Sequence, residues 1–392
     1  MSAKNSSSEG AIRDTRHLVS TPEKRLACFE RMLKALCTDL GPHPSGTKAY
    51  EKATQILHRE MAAALPVAFR DRYLDRWEAI RPEIIHRSRR LSVGVAENCA
   101  GTSDAGFTGV ITRLKKGGVP YGIVDAATGD LAACINVSNE VGFLPEYLVG
   151  EDVLSLPRFV IGLRDVPFVD LLVKDRAEVQ VRLRVVYAPP VPTYNVVGTI
   201  PGESPEEIII IAHADSLIMT EGANDNTATA IIITMLAHAF SGTRPRRTLT
   251  FLIPGSEEYG LLGAKHYVRR REAEGTLRNL RFVINCDSLT FGPNLWASTT
   301  DAGLIEAVKA IHADLGLGTD PIYSPDQEPW MNDAACFRPA SAWARGINFN
   351  SRGYATLAAN HTPDDNAANV PRDCAESSFL VLRELIQRMQ DL

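Results

Sequence analysis

The chain has 392 residues, a formal net charge of -5 and a pI near 6.0, with 45% hydrophobic and 23% charged residues. That length exceeds what one core usually supports, so a large domain carrying an insertion is expected. The mild acidity gives no electrostatic reason for nucleic acid or an anionic membrane as partner, and no run approaches the roughly 18 apolar residues of a membrane span.

The opening Met1–Gly10 is polar and lacks the apolar centre of a signal peptide, and Ser-rich residues 1–16 are expected to be disordered. Pro22–Leu40 carries Leu26, Cys28, Phe29, Met32, Leu33 and Leu36 at helical spacing. Beyond the Gly41-Pro-His-Pro-Ser-Gly46 turn, Tyr50, Ala53, Ile56, Leu57, Met61 and Ala64 predict a second amphipathic helix. Arginines then crowd 70–90. From Leu91 to Tyr187 short β-like runs alternate with turn residues (Gly109–Thr112, Tyr121–Asp125, Arg158–Ile161, Val179–Tyr187), bounded by Pro189, Pro190 and Pro192. From Tyr194 the pattern alternates strand and helix. Glu207–His213, Thr248–Pro254 and Arg281–Cys286 read as strands, Thr227–Phe240 and Asp301–Leu315 as helices.

These patterns predict an α/β fold with a mixed, mostly parallel central sheet flanked by helices. Residues 17–90 and 188–392 would build it, and 91–187 would form an inserted β-rich domain. Seven scattered cysteines, odd in number and without CxxC pairs, fit free thiols in a reducing cytoplasm.

Residues able to bind metal collect where the strands end, the usual ligand position in an open α/β sheet. His213 ends its strand, and Asp215 shares its face two residues on, so Asp215 can accept the second imidazole N–H. A plain His–Asp surface turn is the competing reading of that pair. Asp225 lies in Gly222-Ala-Asn-Asp-Asn226 before a helix, where capping competes with a bridging carboxylate. Adjacent glutamates are usually solvated, but Glu257 and Glu258 come after a strand through Gly255-Ser256 and can point apart. Glu258 then serves as metal ligand and Glu257 as general base toward a metal-activated water. Asp287 ends a strand, which turns Cys286 toward the core. His361, in His-Thr-Pro-Asp364-Asp365, completes the set, with Asp364 as a candidate acceptor behind it. Two imidazoles and several carboxylates without a ligating cysteine suit zinc, or manganese or cobalt. The other histidines (17, 43, 58, 86, 238, 266 and 312) lack a matching carboxylate pattern and are expected at the surface or in the core.

Taken together, His213-Ala-Asp215, Gly222–Asn226, Glu257-Glu-Tyr-Gly260, Asn285-Cys-Asp287 and His361–Asp364 resemble the M28 family of metallopeptidases. That family includes zinc aminopeptidases and glutamate carboxypeptidase-like enzymes. The 91–187 segment resembles, more weakly, a protease-associated domain. The resemblance implies one metal held by His213, Asp225 and Asp287 and another by Asp225, Glu258 and His361. Asp225 would bridge them, with Glu257 as base and Asp215 orienting His213. The chain departs from the family at Ser288-Leu-Thr290 and at Pro329–Cys336, where many members show a Ser-Asp-His-like motif.

The implied activity is hydrolysis of a C–N bond by a metal-activated water, most simply by an aminopeptidase holding one or two divalent ions per chain. The alternative is a cytoplasmic catabolic hydrolase of a small amide or aromatic amine on the same scaffold. Its carboxylated substrate would pair with Arg345 or Arg352, beside Tyr354, with a plain surface salt bridge as the competing and slightly favoured reading of such an arginine. A non-enzymatic binding module would be marked by loss of the base or a ligand, and neither is lost. The substrate is a short peptide or small molecule, and a homo-oligomer is compatible with the sequence.

Overall fold

A computed structural model describes residues 14–75, 78–95, 99–114, 119–137, 155–186, 191–292, 295–317, 323–324, 332–338, 340–341, 343–351 and 359–392. Two helices come first, α1 (Pro22–Leu33) and α2 (Lys48–Ala64). The Thr21 and Thr47 side chains cap them by accepting the Lys24 and Tyr50 N–H groups. The first helix is shorter than the Pro22–Leu40 pattern, because a wider turn, Lys34–Thr38, replaces its last part.

Next in the chain are β1 (Val67–Asp75), β2 (Glu78–His86), β3 (Arg89–Arg90), β4 (Gly94–Val95), β5 (Phe107–Arg113), β6 (Tyr121–Asp125), β7 (Leu131–Val137), β8 (Arg158–Ile161), α3 (Val166–Lys174) and β9 (Glu178–Val186). The remainder holds β10 (Val191–Ile200), β11 (Ser204–Ile211), α4 (Ala228–Ala239), β12 (Arg247–Ile253), α5 (Leu262–Ala273), β13 (Leu280–Cys286), β14 (Leu295–Ser298), α6 (Ala302–Asp314), β15 (Tyr323–Ser324), β16 (Arg345–Ser351) and α7 (Arg372–Arg388).

The strands form two sheets. The first runs β1-β10-β12-β11-β13-β16-β14-β15. Its centre, β12-β11-β13-β16, is parallel, while β1 and β10 pair antiparallel at one edge. This is the mixed, mostly parallel sheet flanked by helices that the sequence predicts. Ile208 and Ile210 bury against α1, α2, α4, α6 and α7, and Ile209 and Ile211 against α5 on the opposite face. A run of isoleucines with no polar alternation is what burial on both faces requires. From β11 the chain moves to β12 on one side and then to β13 on the other. Such a reversal opens a crevice beyond the carboxyl ends of these strands.

The second sheet, β3-β2-β9-β5-β6-β7-β8-β4, is almost wholly antiparallel. It takes in β2 and β3, upstream of the Leu91 start read from the sequence. The arginines of that stretch alternate with buried residues such as Ile84 along exposed strand faces, which hides the strand pattern. Its core includes Ile111, Phe159, Val169 and Leu183, and also Leu217 and Tyr259, which come from loops of the first sheet.

Residues 1–13 lie outside the described residues. Thr15, within the expected disordered stretch, is instead buried, its hydroxyl 2.9 Å from His238 Nδ1. No helix among the described residues is long and apolar enough to cross a membrane.

Candidate metal centre

His213 lies just past β11, Glu257 and Glu258 past β12, and Asp287 past β13, so adjacent parallel strands deliver them to the crevice. Asp225 and His361 arrive from loops. The donor atoms of His213, Asp225 and Asp287 lie within 4.8 Å of one another, as do those of Asp225, Glu258 and His361. One Asp225 oxygen is 3.4 Å from His213 Nε2, and the other is 3.0 Å from His361 Nε2. His361 Nε2 is also 3.3 Å from Glu258, and His213 Nε2 is 3.7 Å from Asp287. Donors about 2.0–2.1 Å from a tetrahedral zinc ion lie about 3.3–3.4 Å apart, so these spacings fit the ion.

The loops are held by groups that do not bind metal. The Asp215 carboxylate is fully buried and accepts the backbone N–H groups of Glu257 and Glu258 at 3.1 and 3.3 Å. His213 Nδ1 faces both the Asp215 carbonyl at 3.3 Å and its carboxylate at 3.6 Å. The helix that follows, α4, has Thr227 and not Asp225 at its cap position, and the two Asp225 oxygens face the imidazoles instead. Its neighbour Asn226 donates to the Cys286 carbonyl at 3.0 Å and accepts the Ser288 N–H at 3.0 Å, tying this loop to the Asp287 loop.

Burial and crowding dominate the electrostatics. Burial would lower the pKa of His213, but Glu257, Asp215, Asp225 and Asp287 outweigh it and hold the imidazole well above its usual value. His361 is likewise opposed by burial but raised by Glu258 and Asp225 to about 9. Burial pushes Glu258 up to about 8, with Asp225 adding to the rise. Burial also raises Glu257 strongly, helped by Asp287 and Asp333 against the pull of His213. Asp225 moves down, because the two imidazoles overcome its burial. Carboxylates packed this tightly, with no lysine or arginine paired to them among the described residues, are what a divalent cation relieves.

Two residues stand differently from their sequence reading. Asp364 is exposed, and the buried acceptor is Asp365, whose carboxylate takes the N–H groups of Asn224 and Asp225 at 2.7 and 3.1 Å. Arg345 starts β16 opposite Phe282, at the amino end of the parallel strands and away from the centre. It is bound there to both carboxylate oxygens of Asp301, at 2.5 and 2.9 Å. Arg352 and Tyr354 lie outside the described residues. His43 is indeed buried, but it also links two loops of the centre: its N–H donates to Ser216 Oγ at 2.9 Å, and its Nε2 is 3.2 Å from Thr227 Oγ1. Asp333 was not read from the sequence. It is 2% exposed and close enough to His213, Asp215 and Asp287 to feel their charge, and burial pushes it up to about 8.

Two His/Asp/Glu donor sets at the switch point of an α/β sheet define a candidate metal centre. Residues 195–386, which hold all of these donors, match the family model of Peptidase family M28. Over 170 residues it is 29% identical to Leupeptin-inactivating enzyme 1 of Streptomyces exfoliatus, covering 42% of this chain and 38% of that protein. The chain thus spans less than half the length of the curated relatives it matches. Its fold is shared with BSAP, a zinc aminopeptidase from Bacillus subtilis, at a TM-score of 0.72 and 18% identity, over 93% of this chain and 95% of that one. It is shared also with a Peptidase M28 precursor from Shewanella amazonensis, at a TM-score of 0.74 and 17% identity, over 96% of both chains.

Proposed function

We propose that the chain is a metal-dependent exopeptidase, an aminopeptidase acting on short peptides. The observation that carries this is Asp225, whose two oxygens face His213 and His361 in separate donor sets. His213, Asp225 and Asp287 would hold one ion and Asp225, Glu258 and His361 the other. Bound divalent ions, zinc first and manganese or cobalt as alternatives, would lower the pKa of water and polarise the scissile carbonyl.

The rest falls to the chain's own side chains. Glu257, with Oε2 3.9 Å from His213 Nε2, takes the proton from the attacking water and returns it to the leaving amine. Asp215 fixes the Glu257-Glu258 turn and orients His213 from behind. Asp287 is the most open of the donors at 26% side-chain exposure, so substrate enters on its side.

Charge selects the end of the peptide. Asp215, Asp225, Glu257, Glu258 and Asp287 carry five negative charges when ionised against four positive ones from two dications, so the loaded centre offers a substrate carboxylate no net positive charge. A protonated N-terminus is favoured there and a substrate carboxylate disfavoured. Of the two arginines read as partners for a carboxylated aromatic substrate, Arg345 is engaged elsewhere and Arg352 lies outside the described residues. The names of the relatives, aminopeptidases among them, support the same reading. The seven cysteines, all free, support a reducing compartment such as the cytoplasm.

The deciding experiment measures metal per chain and turnover on aminoacyl anilides, dipeptides and carboxylated aromatic amides, for wild type and Glu257→Gln. Metal-dependent aminoacyl cleavage that Glu257→Gln abolishes while retaining metal supports the aminopeptidase. Hydrolysis of an aromatic amide alone would replace it by the small-molecule enzyme.

A further inference from the structure

Immediately before the proposed base, Ser256 holds a left-handed backbone with φ of 55°. A serine gains nothing intrinsic from that conformation, and such strain persists where the surroundings over-determine it. Here the surroundings are hydroxyl groups. Ser256 Oγ donates to Ser45 Oγ at 2.8 Å and lies 2.8 Å from the Tyr73 hydroxyl. Ser45 Oγ is in turn 2.9 Å from Thr193 Oγ1, which accepts the Gly46 N–H at 3.3 Å. All four side chains are buried.

Each member comes from a different part of the fold: the turn before α2, β1, β10 and the loop after β12. The preceding residue leaves no slack. A Cβ on Gly255 would lie 2.2 Å from the Tyr50 hydroxyl and 2.9 Å from that of Tyr73. On the far side of Ser256, the Glu257 N–H is held by Asp215. The base therefore sits between two anchors, one carboxylate and one hydroxyl cluster, and displacing the cluster would strip buried hydroxyls of their partners.

We propose that Ser45, Tyr73, Thr193 and Ser256 form a positioning cluster that fixes Glu257 for proton transfer. The proposal rests on Glu257 being the base. A cluster serving stability alone would alter unfolding and leave the proton-transfer step untouched. A cluster that positions the base acts on kcat and does so only through the Glu257 carboxylate.

The test uses the full-length, metal-loaded protein and an aminoacyl p-nitroanilide, reading kcat, KM, metal per chain and thermal unfolding. Ser256→Ala is expected to lower kcat about 10–100-fold, the scale of a misplacement near 1 Å, with KM within about twofold and metal content unchanged. Ser256→Gly, which removes the strain along with the hydroxyl, should be as slow. Thr193→Val should slow turnover severalfold and Thr193→Ser restore it, which keeps the test open where a Ser256 variant folds poorly. Added to Glu257→Gln, Ser256→Ala should cause no further loss of the residual rate. Wild-type kcat in Ser256→Ala and Thr193→Val, beside an inactive Glu257→Gln, would overturn the cluster and leave the base standing. The same fold-loss in both backgrounds would also overturn it. Full activity in Glu257→Gln would remove the base itself.

Discussion

The Asp365 carboxylate accepts the backbone N–H of Asp225 at 3.1 Å, so the central carboxylate of the donor sets is held through its main chain. Asn224 adds its own N–H and its side-chain amide to the same acid, at 2.7 and 2.9 Å. Both Asp225 oxygens are thereby left to face the imidazoles. Asp365→Ala should weaken metal binding about 10–100-fold, the usual scale for a partner behind a ligand. Competition with a chelating indicator measures this. Unchanged affinity would reduce Asp365 to a packing residue.

Much of this centre was legible because its donors stand directly after apolar strands. The isoleucine run 208–211 announces a strand buried on both faces, so His213, two residues past the last isoleucine, must emerge at the sheet's end. The sequence could not separate Asp364 from Asp365, since both stand in one polar loop and only the tertiary path buries the second. Arg345 failed for a related reason. Seven strand residues at about 3.3 Å each separate the two ends of β16, and nothing local says which end meets the centre. Ser45, Tyr73 and Ser256 carry no pattern at all, being joined only once β1, β10 and β12 have paired.

Protonation sets the metal affinity. With His361 raised to about 9 and Glu258 to about 8, both carry protons at neutral pH before metal enters, and binding must expel them. Affinity should therefore climb between pH 6 and 9, and titration calorimetry in buffers of different ionisation enthalpy should register proton release. The same shifts act on the metal-free fold. His361, raised from 6.5, and Glu258, raised from 4.5, both favour the folded state in protonated form. That contribution is complete below their unfolded values and is lost as pH rises through about 8 to 9. Chelated protein should lose thermal stability from pH 6 to 9, whereas metal-loaded protein should not share that decline.

Arg345 gives a control on the far side of the sheet. Its two bonds to Asp301 tie β16 to the start of α6, where Asp301 also caps the helix by accepting the Leu304 N–H at 3.1 Å. Arg345→Ala should cost about 1 kcal/mol of stability for a partly exposed bidentate pair. Its kcat/KM should stay within about twofold of wild type. A large rise in KM would instead place this arginine at the substrate.

The second sheet is joined to the donor loops by its apolar core. Leu217 stands two residues beyond Asp215, and Tyr259 directly after Glu258, and both are buried in the cluster that contains Ile111, Phe159 and Leu183. The Asp215 carboxylate already ties these two loops together at the Glu257 and Glu258 N–H groups. One apolar core thus grips the outer side of both. Phe159→Ala, a cavity in that core away from the donors, should cost about 3–5 kcal/mol of the stability of the second sheet. If the core holds the catalytic loops, turnover and metal affinity should fall with it, at temperatures where far-UV circular dichroism still reports a folded chain. Leu217→Ala should produce the same pair of losses from the opposite side of the contact. A second sheet that melts in Phe159→Ala while kcat stays at wild-type level would mean that the catalytic loops stand without it.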